Sequence, residues 1–203
     1  MKKYLFPLAG FLLLLCACAG EEMDRTVFIP DATDANLPAY TEWGYNSFGA
    51  RYERNYFLVA NSLVPCKVTY RDGVLNFSLT GRLAADAASN RYDTEKMTLT
   101  FAFPSSHIGD FTDLVSLHGR EIDLTGDSCG VRMEREDLVA LVRPVSGRLT
   151  FGRAQLLRID DVINRVILSG TFEVKFLLNS RPETISDGRF DVGIRDDFYS
   201  YPE

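Results

Sequence analysis

Residues 165–195 read RVILSGTFEVKFLLNSRPETISDGRFDVGIR, and this stretch decides the fold class. Val166, Leu168, Gly170, Phe172, Val174, Phe176 and Leu178 fall on alternate positions, with Ser169, Thr171, Glu173 and Lys175 between them. A period of two marks a strand with one dry face and one wet face. The polar run Asn179 to Glu183 reads as a turn, and Phe190, Val192 and Ile194 line a returning strand. The stretch is therefore predicted to be a long antiparallel hairpin on whose apolar face the other strands pack.

The same alternation recurs upstream. Ser47–Tyr52 and Tyr56–Ala60 form one expected hairpin, and Lys67–Tyr70 and Val74–Leu83 form another around Asp72-Gly73. An Asp-Gly pair favours a tight hairpin because Gly accepts a positive φ without steric cost. Lys96–Phe103, Glu121–Leu124, Val131–Met133, Leu138–Arg143 and Arg148–Ile159 continue the strand pattern, with Ser146-Gly147 expected to turn the last two. Gly109–Leu117 lacks alternation and is expected to make one or two helical turns. The result is an all-β domain of about ten strands with at most one short helix, a single antiparallel β-sandwich or an up-and-down barrel.

The chain has 203 residues, 46% of them hydrophobic and 25% charged, as expected of a globular protein. Its formal net charge is −6. No basic stripe offsets this, which argues against a nucleic-acid partner and against electrostatic adhesion to an anionic bilayer.

Residues 1–17 read as a lipoprotein signal peptide. Lys2 and Lys3 form its positive end, and Leu5 to Leu15 form an apolar core too short for a comfortable span. Leu15-Cys16-Ala17-Cys18 resembles a bacterial lipobox, which makes Cys18 the expected lipidated N-terminus. The membrane partner is then a bilayer reached through a lipid anchor. Ala19 follows Cys18, and Glu21 and Glu22 come next, a pattern resembling the surface-export signal of Bacteroidetes lipoproteins. The expected location is the outer membrane, facing the exterior. Residues 18–41 are acidic, carry Pro30 and Pro38, and read as a tether, with 42–195 the β domain and 196–203 a tail.

Gly44-Tyr45-Asn46-Ser47-Phe48-Gly49-Ala50, Leu168-Ser169-Gly170-Thr171-Phe172-Glu173 and Asp187-Gly188-Arg189-Phe190-Asp191-Val192 resemble segments of an uncharacterised family of Bacteroides lipoproteins of similar length. The resemblance implies a fold and a surface location but brings no functional residues. Gly170 inside a strand implies a bulge or a close backbone approach.

Candidate chemistry is sparse. His107 and His118 are the two histidines. Gly126-Asp127-Ser128-Cys129-Gly130 shares its Gly-Asp-Ser order with the nucleophile turn of chymotrypsin-like proteases, but Cys129 intrudes, neither His sits in the expected upstream context, and the order leaves no separate triad acid. It reads better as a tight turn. Asp160-Asp161, Asp196-Asp197 and the Glu134, Glu136, Asp137 group read as solvated acids rather than a glycosidase pair. No metal-ligand spacing, calcium loop or phosphate-binding Gly-rich motif occurs, so no cofactor is expected. Cys66 and Cys129 remain after the leader and are a candidate disulfide, which would stabilise by about 4 kcal/mol through the long loop it closes. Tyr40, Trp43, Tyr45, Tyr52 and Tyr56 crowd together and are the candidate ligand-binding set, for a glycan or a surface protein. The expected function is a non-catalytic binding module, with a structural or adhesion component as the alternative and a hydrolase third.

Overall fold

Eleven strands and one short 3-10 helix build the domain in a computed structural model, which describes residues 24–60, 65–85, 95–136, 138–196 and 199–200. The strands are β1 Ser47–Tyr52, β2 Asn55–Leu58, β3 Cys66–Arg71, β4 Val74–Ala84, β5 Lys96–Pro104, β6 Arg120–Asp123, β7 Gly130–Arg135, β8 Leu138–Ile159, β9 Val162–Leu178, β10 Arg181–Ile194 and β11 Tyr199–Ser200. The helix spans Phe111–Leu117. The expected signal peptide and lipidation site, residues 1–17 and Cys18, and the expected loop at residues 86–94 lie outside the described residues.

All pairs but one are antiparallel; β11 joins β3 in parallel. The order β4-β2-β1-β10-β9-β8-β7-β5 returns to β4 through the β4–β5 pairing, which closes a ring of eight strands. Strand β3 branches from β4, and β6 from β8. The ring is irregular, since β2 meets β4 over only Leu58, Phe57 and Tyr56. The expected all-β class holds, in the form of a ring-like sheet.

Tight turns make the ring possible. Asp72-Gly73, Asp160-Asp161 and Asn179-Ser180 each carry positive φ at both turn positions. That is the type I′ geometry whose twist matches paired strands. Only Asn179 and Ser180 make the last turn, so Arg181, Pro182 and Glu183 already belong to β10. Ser146-Gly147 does not turn the chain. It sits at an irregularity between Pro144 and Ser146 within one 22-residue strand. Proline offers no N–H to the ladder, and a bulge accommodates it without ending the strand.

Inward positions fill the ring. Phe48, Phe57, Phe77, Phe101, Phe103, Phe151, Phe176 and Phe190 are fully buried. Phe190 lies 4.9 Å from Phe77 and 5.6 Å from Phe151 between ring centres. Each such ring contributes about 1.5–3 kcal/mol by leaving water. Leu114 and Leu117 of the 3-10 helix are buried too, and Asp110 caps its start by accepting from Thr112 N–H.

The strand glycines are steric necessities. Gly170 faces Phe190 across β9–β10, and Gly188 faces Phe172. A Cβ on Gly170 would meet Thr150 O at 1.9 Å and the Phe190 ring at 2.6 Å. A Cβ on Gly188 would meet Phe172 O at 2.4 Å. Each aromatic ring covers the bare backbone opposite it, as designed sheets do deliberately.

The tether reading is corrected for residues 24–41. Leu37 is buried, Pro30 bridges Pro38, Val27 N–H donates to Tyr45 O, and Ala39 N–H donates to Ile29 O. This segment has no strand or helix period because hydrogen bonds from individual side chains hold it. It lies against β1 and β10 through Arg51 and Arg189 and reaches Arg165 of β9 through Asp24, while the following loop covers Ile167 and Ser169.

Gly170→Ala is expected to destabilise by about 3 kcal/mol, because a backbone oxygen blocks the methyl. Gly152→Ala meets only the far end of Tyr40, at 2.7 Å, and is expected to cost less than about 1 kcal/mol. Equal urea midpoints for the two variants would contradict this account.

Candidate binding faces at the two ends of the ring

One buried carboxylate positions the loop before β1. Asp191 is 1% exposed. It accepts from Thr41 Oγ1 at 2.6 Å, Trp43 N–H at 3.0 Å, Gly44 N–H at 2.7 Å, Tyr45 N–H at 3.3 Å and Ser169 Oγ at 3.1 Å. Gly44 takes φ +76° there, and a Cβ on it would press on Ile167 at 3.0 Å. Asn46 Oδ1 accepts from Gly193 N–H at 2.9 Å. Arg165, itself buried, and Arg195 both pair with Asp24 at 3.2 Å. Burial pushes the Arg165 guanidinium down from its usual value, and Asp24 pulls it back up.

Trp43 therefore stands on a fixed backbone, yet its side chain is open: it is 71% exposed. Beside it lies a groove of about 200 Å³ lined by Arg25, Val27, Gly44, Tyr45, Leu157 and Arg165. Of the five candidate aromatics, only Trp43 and Tyr45 share this groove. Tyr40 lines a separate groove with Arg148, Glu173 and Arg189, and its hydroxyl donates to Glu42. Burial first, then Glu42, pushes the Tyr40 phenol up to about 12. Tyr52 is buried and donates to Glu183, with its pKa raised by burial and by that carboxylate. Tyr56 donates to Asp34 at 3.2 Å. The five do not form one platform.

The opposite end of β8–β9 holds residues that the aromatic reading missed. Val139, Leu141, Val145 and Leu177 are all exposed, with Leu141 at 80%. Arg143 sits two positions after Leu141 and opposite Leu177, which also faces Pro182. Arg143, Lys175 and Arg181 are exposed and have no ion-pair partner among the described residues, whereas Arg132 pairs with Glu134 at 2.9 Å. Glu136, Glu173 and Asp127 are exposed acids nearby. A cleft of about 550 Å³ adjoins the row, between Leu141–Pro144 and the turn holding Thr125, Asp127 and Cys129. Its signal in the sequence was Leu138-Val139-Ala140-Leu141-Val142, a strand apolar on both faces.

The proposed disulfide is corrected: Cys66 and Cys129 are both free thiols. Cys66 lies on β3 and Cys129 precedes β7, with β4 and β5 between them. Three strand spacings separate them by about 14 Å, beyond disulfide reach. Burial raises the Cys66 thiol well up, and burial with Asp123 raises Cys129. The histidines have packing partners. His107 meets Tyr70 edge-on at 5.9 Å, and His118 Nδ1 accepts from Ala154 N–H at 3.2 Å. Gly126 and Asp127 lie in a turn closed by Cys129 N–H donating to Gly126 O. Asp160-Asp161 is the β8–β9 turn, and Asp137 and Asp197 lie outside the described residues. Among the described residues no group of three His, Cys, Asp or Glu side chains is disposed to hold a metal. Comparison with protein-family models, with curated proteins and with solved structures finds no match.

Two acids pin the 24–41 segment to the ring. Asp31 accepts from Arg189 at 2.7 Å, and Asp34 from Arg51 at 2.6 Å. The Thr33 hydroxyl and N–H, with Arg189 adding, hold Asp31 down to about 2. Burial raises Asp34, but Arg51 and Asn36 N–H outweigh it and leave its pKa lowered. A carboxyl whose pKa is lower folded than unfolded contributes stability that is full above the unfolded value and lost as pH falls through the folded one. Docking of the segment is therefore expected to weaken as pH falls from about 4 to about 2. Amide exchange checks this: protection of Leu37 and Ala39 should fall across that range relative to Phe77. Asp191→Ala leaves three backbone donors without their acceptor and is expected to cost about 3 kcal/mol, against about 1 kcal/mol for Thr41→Val, as read by urea unfolding.

Proposed function

We propose that the protein is a lipid-anchored binding module of the outer cell surface, held through Cys18, whose outward end takes a protein partner. The observation that carries this reading is the row Val139, Leu141, Val145 and Leu177, exposed together and interleaved with Arg143 and Lys175, with Arg181 at the adjoining β9–β10 turn. Large aliphatics left in water cost free energy, and a contiguous set of them with a polar rim is the signature of a contact surface. The cations stand out on a chain of net charge −6. Charge complementarity then favours a partner segment that is acidic and carries aliphatic side chains. The adjoining cleft gives such a segment depth as well as a face. Engagement of both histidines in packing, and of Asp31, Asp34 and Asp191 in holding the chain, supports a binding role over a hydrolytic one.

A second reading, glycan stacking on Trp43, has the exposure of that ring beside Tyr45 in its favour. It ranks below the first because the other three candidate aromatics lie elsewhere.

Selection of displayed peptides on the full chain tests the first reading. Enriched peptides are expected to alternate Asp or Glu with Leu, Ile or Val. Leu141→Ser and Arg143→Glu should each weaken them by about tenfold, with melting unchanged because both positions are exposed. Peptides without acidic character, or binding indifferent to both substitutions, would falsify the reading.

A further inference from the structure

We infer that the end of the ring carrying Trp43 rests on the bilayer surface, with Trp43 and the β8–β9 turn seated among the lipid headgroups. The inference rests on the lipid anchor at Cys18. Asp24, the first described residue, is fixed to the ring by Arg165 and Arg195. Cys18 precedes it by six residues, which reach at most about 20 Å when fully extended. An anchor at Cys18 thus keeps this end of the molecule close to the membrane. β9 alone spans about 55 Å from Val162 to Leu178, so the Leu141–Leu177 row lies at the far end of the strand from this contact.

The chemistry of this end fits a lipid surface. Trp43 is 71% exposed, Val162 68%, and Val27 and Ile159 are exposed as well. Val27 and Leu157 flank Trp43 in the groove, and Ile159 and Val162 pair just beyond Leu157 at the hairpin end. Indole favours the boundary between headgroup and acyl chain, where its ring is dry and its N–H stays wet. Arg25 and Arg158 are exposed there without ion-pair partners among the described residues and suit headgroup phosphates. Asp160 and Asp161 at the turn oppose deeper entry and hold the contact at headgroup level. The Asp191 hydrogen bonds fix the Trp43 backbone in advance, so seating the ring orders little chain.

Trp43 is the chain's single tryptophan, so its fluorescence reports this contact without a label. The native protein is reconstituted into vesicles of phosphatidylethanolamine and phosphatidylglycerol, and the mass of its N-terminus is measured. Relative to the protein in detergent-free buffer as a Cys18→Ser chain, Trp43 emission is expected to shift blue. Quenching by soluble acrylamide should fall by about threefold, and lipids brominated near the headgroup should quench it. Val162→Asp should return the emission toward that of the Cys18→Ser chain, while Leu141→Ser, at the far end, should leave it unchanged. A lipidated Cys18 with Trp43 still open to acrylamide overturns the inference alone. A Cys18 without lipid overturns the anchoring reading and the inference with it. A blue shift produced by soluble polysaccharide, and not by vesicles, overturns the inference in favour of a sugar site.

Discussion

A single carboxylate, Asp191, decides how the first third of the chain meets the last. It lies on an outward position of β10, where an acid would ordinarily point into water. Here it is buried, because the loop Thr41–Tyr45 folds over it and turns three consecutive N–H groups and a hydroxyl toward it. A buried charge is tolerated only when its lone pairs are filled, and charge-assisted bonds to backbone N–H are among the strongest available. The dependence runs both ways. Without the loop the carboxylate would stay solvated, and without the carboxylate the loop would have three buried donors and no acceptor. This mutual requirement covers the outer face of β9, and it is why Arg165, Ile167 and Ser169 are dry on a face that would otherwise be wet.

The inside of the ring obeys a different constraint, which is volume. Rings from five strands meet near Phe190, and the backbone must come close wherever two of them overlap. Gly170 and Gly188 supply that closeness by lacking the atom that would collide with Thr150 O and Phe172 O. Packing of this kind is rigid, because a filled interior cannot relax by a few tenths of an ångström without moving several rings. With aromatic side chains filling the interior, recognition is left to the outer surface and the two ends. Rigidity of the long β8–β9–β10 unit then keeps those ends at a constant separation.

What could be read from the sequence follows from the range of the forces involved. Alternation is local, so β4, β5, β9 and β10 were legible, as was the Asp72-Gly73 turn. Gly170 was legible as a close approach because an isolated Gly in a strongly alternating strand has few other reasons to be there. The packing of residues 24–41 was not legible, since Asp31 and Asp34 find Arg189 and Arg51 far along the chain and leave no period behind. One local trace did exist. Asp31-Ala32-Thr33, Asp110-Phe111-Thr112 and Asp123-Leu124-Thr125 share a spacing at which the Asp accepts from both the N–H and the hydroxyl of the Thr. Ser146-Gly147 misled because a bulge and a turn draw on the same residue types. The aromatic cluster misled for a related reason: proximity along the chain is not proximity in space when strands alternate. Tyr52 went to the core, while Tyr56 and Tyr40 went to separate outer positions.

The two exposed apolar regions have opposite relations to sequence, and this bears on what each can do. Around Trp43, the apolar side chains come from three separated segments, residues 25–27, 43–45 and 157–162, brought together by the Asp191 and Asp24 contacts and by Val27 N–H donating to Tyr45 O. Such a surface exists only in the folded molecule and lies beside Asp24, the first described residue. The Val139–Leu177 row comes from two neighbouring strands, with Val139 and Leu141 paired to β7 and Arg143 paired to Leu177 in the β8–β9 ladder. It pairs its aliphatics with cations rather than with an indole, which suits an acidic polypeptide better than a sugar ring. A rigid ring that presents an indole and aliphatics at one end, and aliphatics interleaved with cations at the other, has the polarity of a spacer. Each end is specified by the side chains it leaves unpaired, and the filled interior between them transmits position.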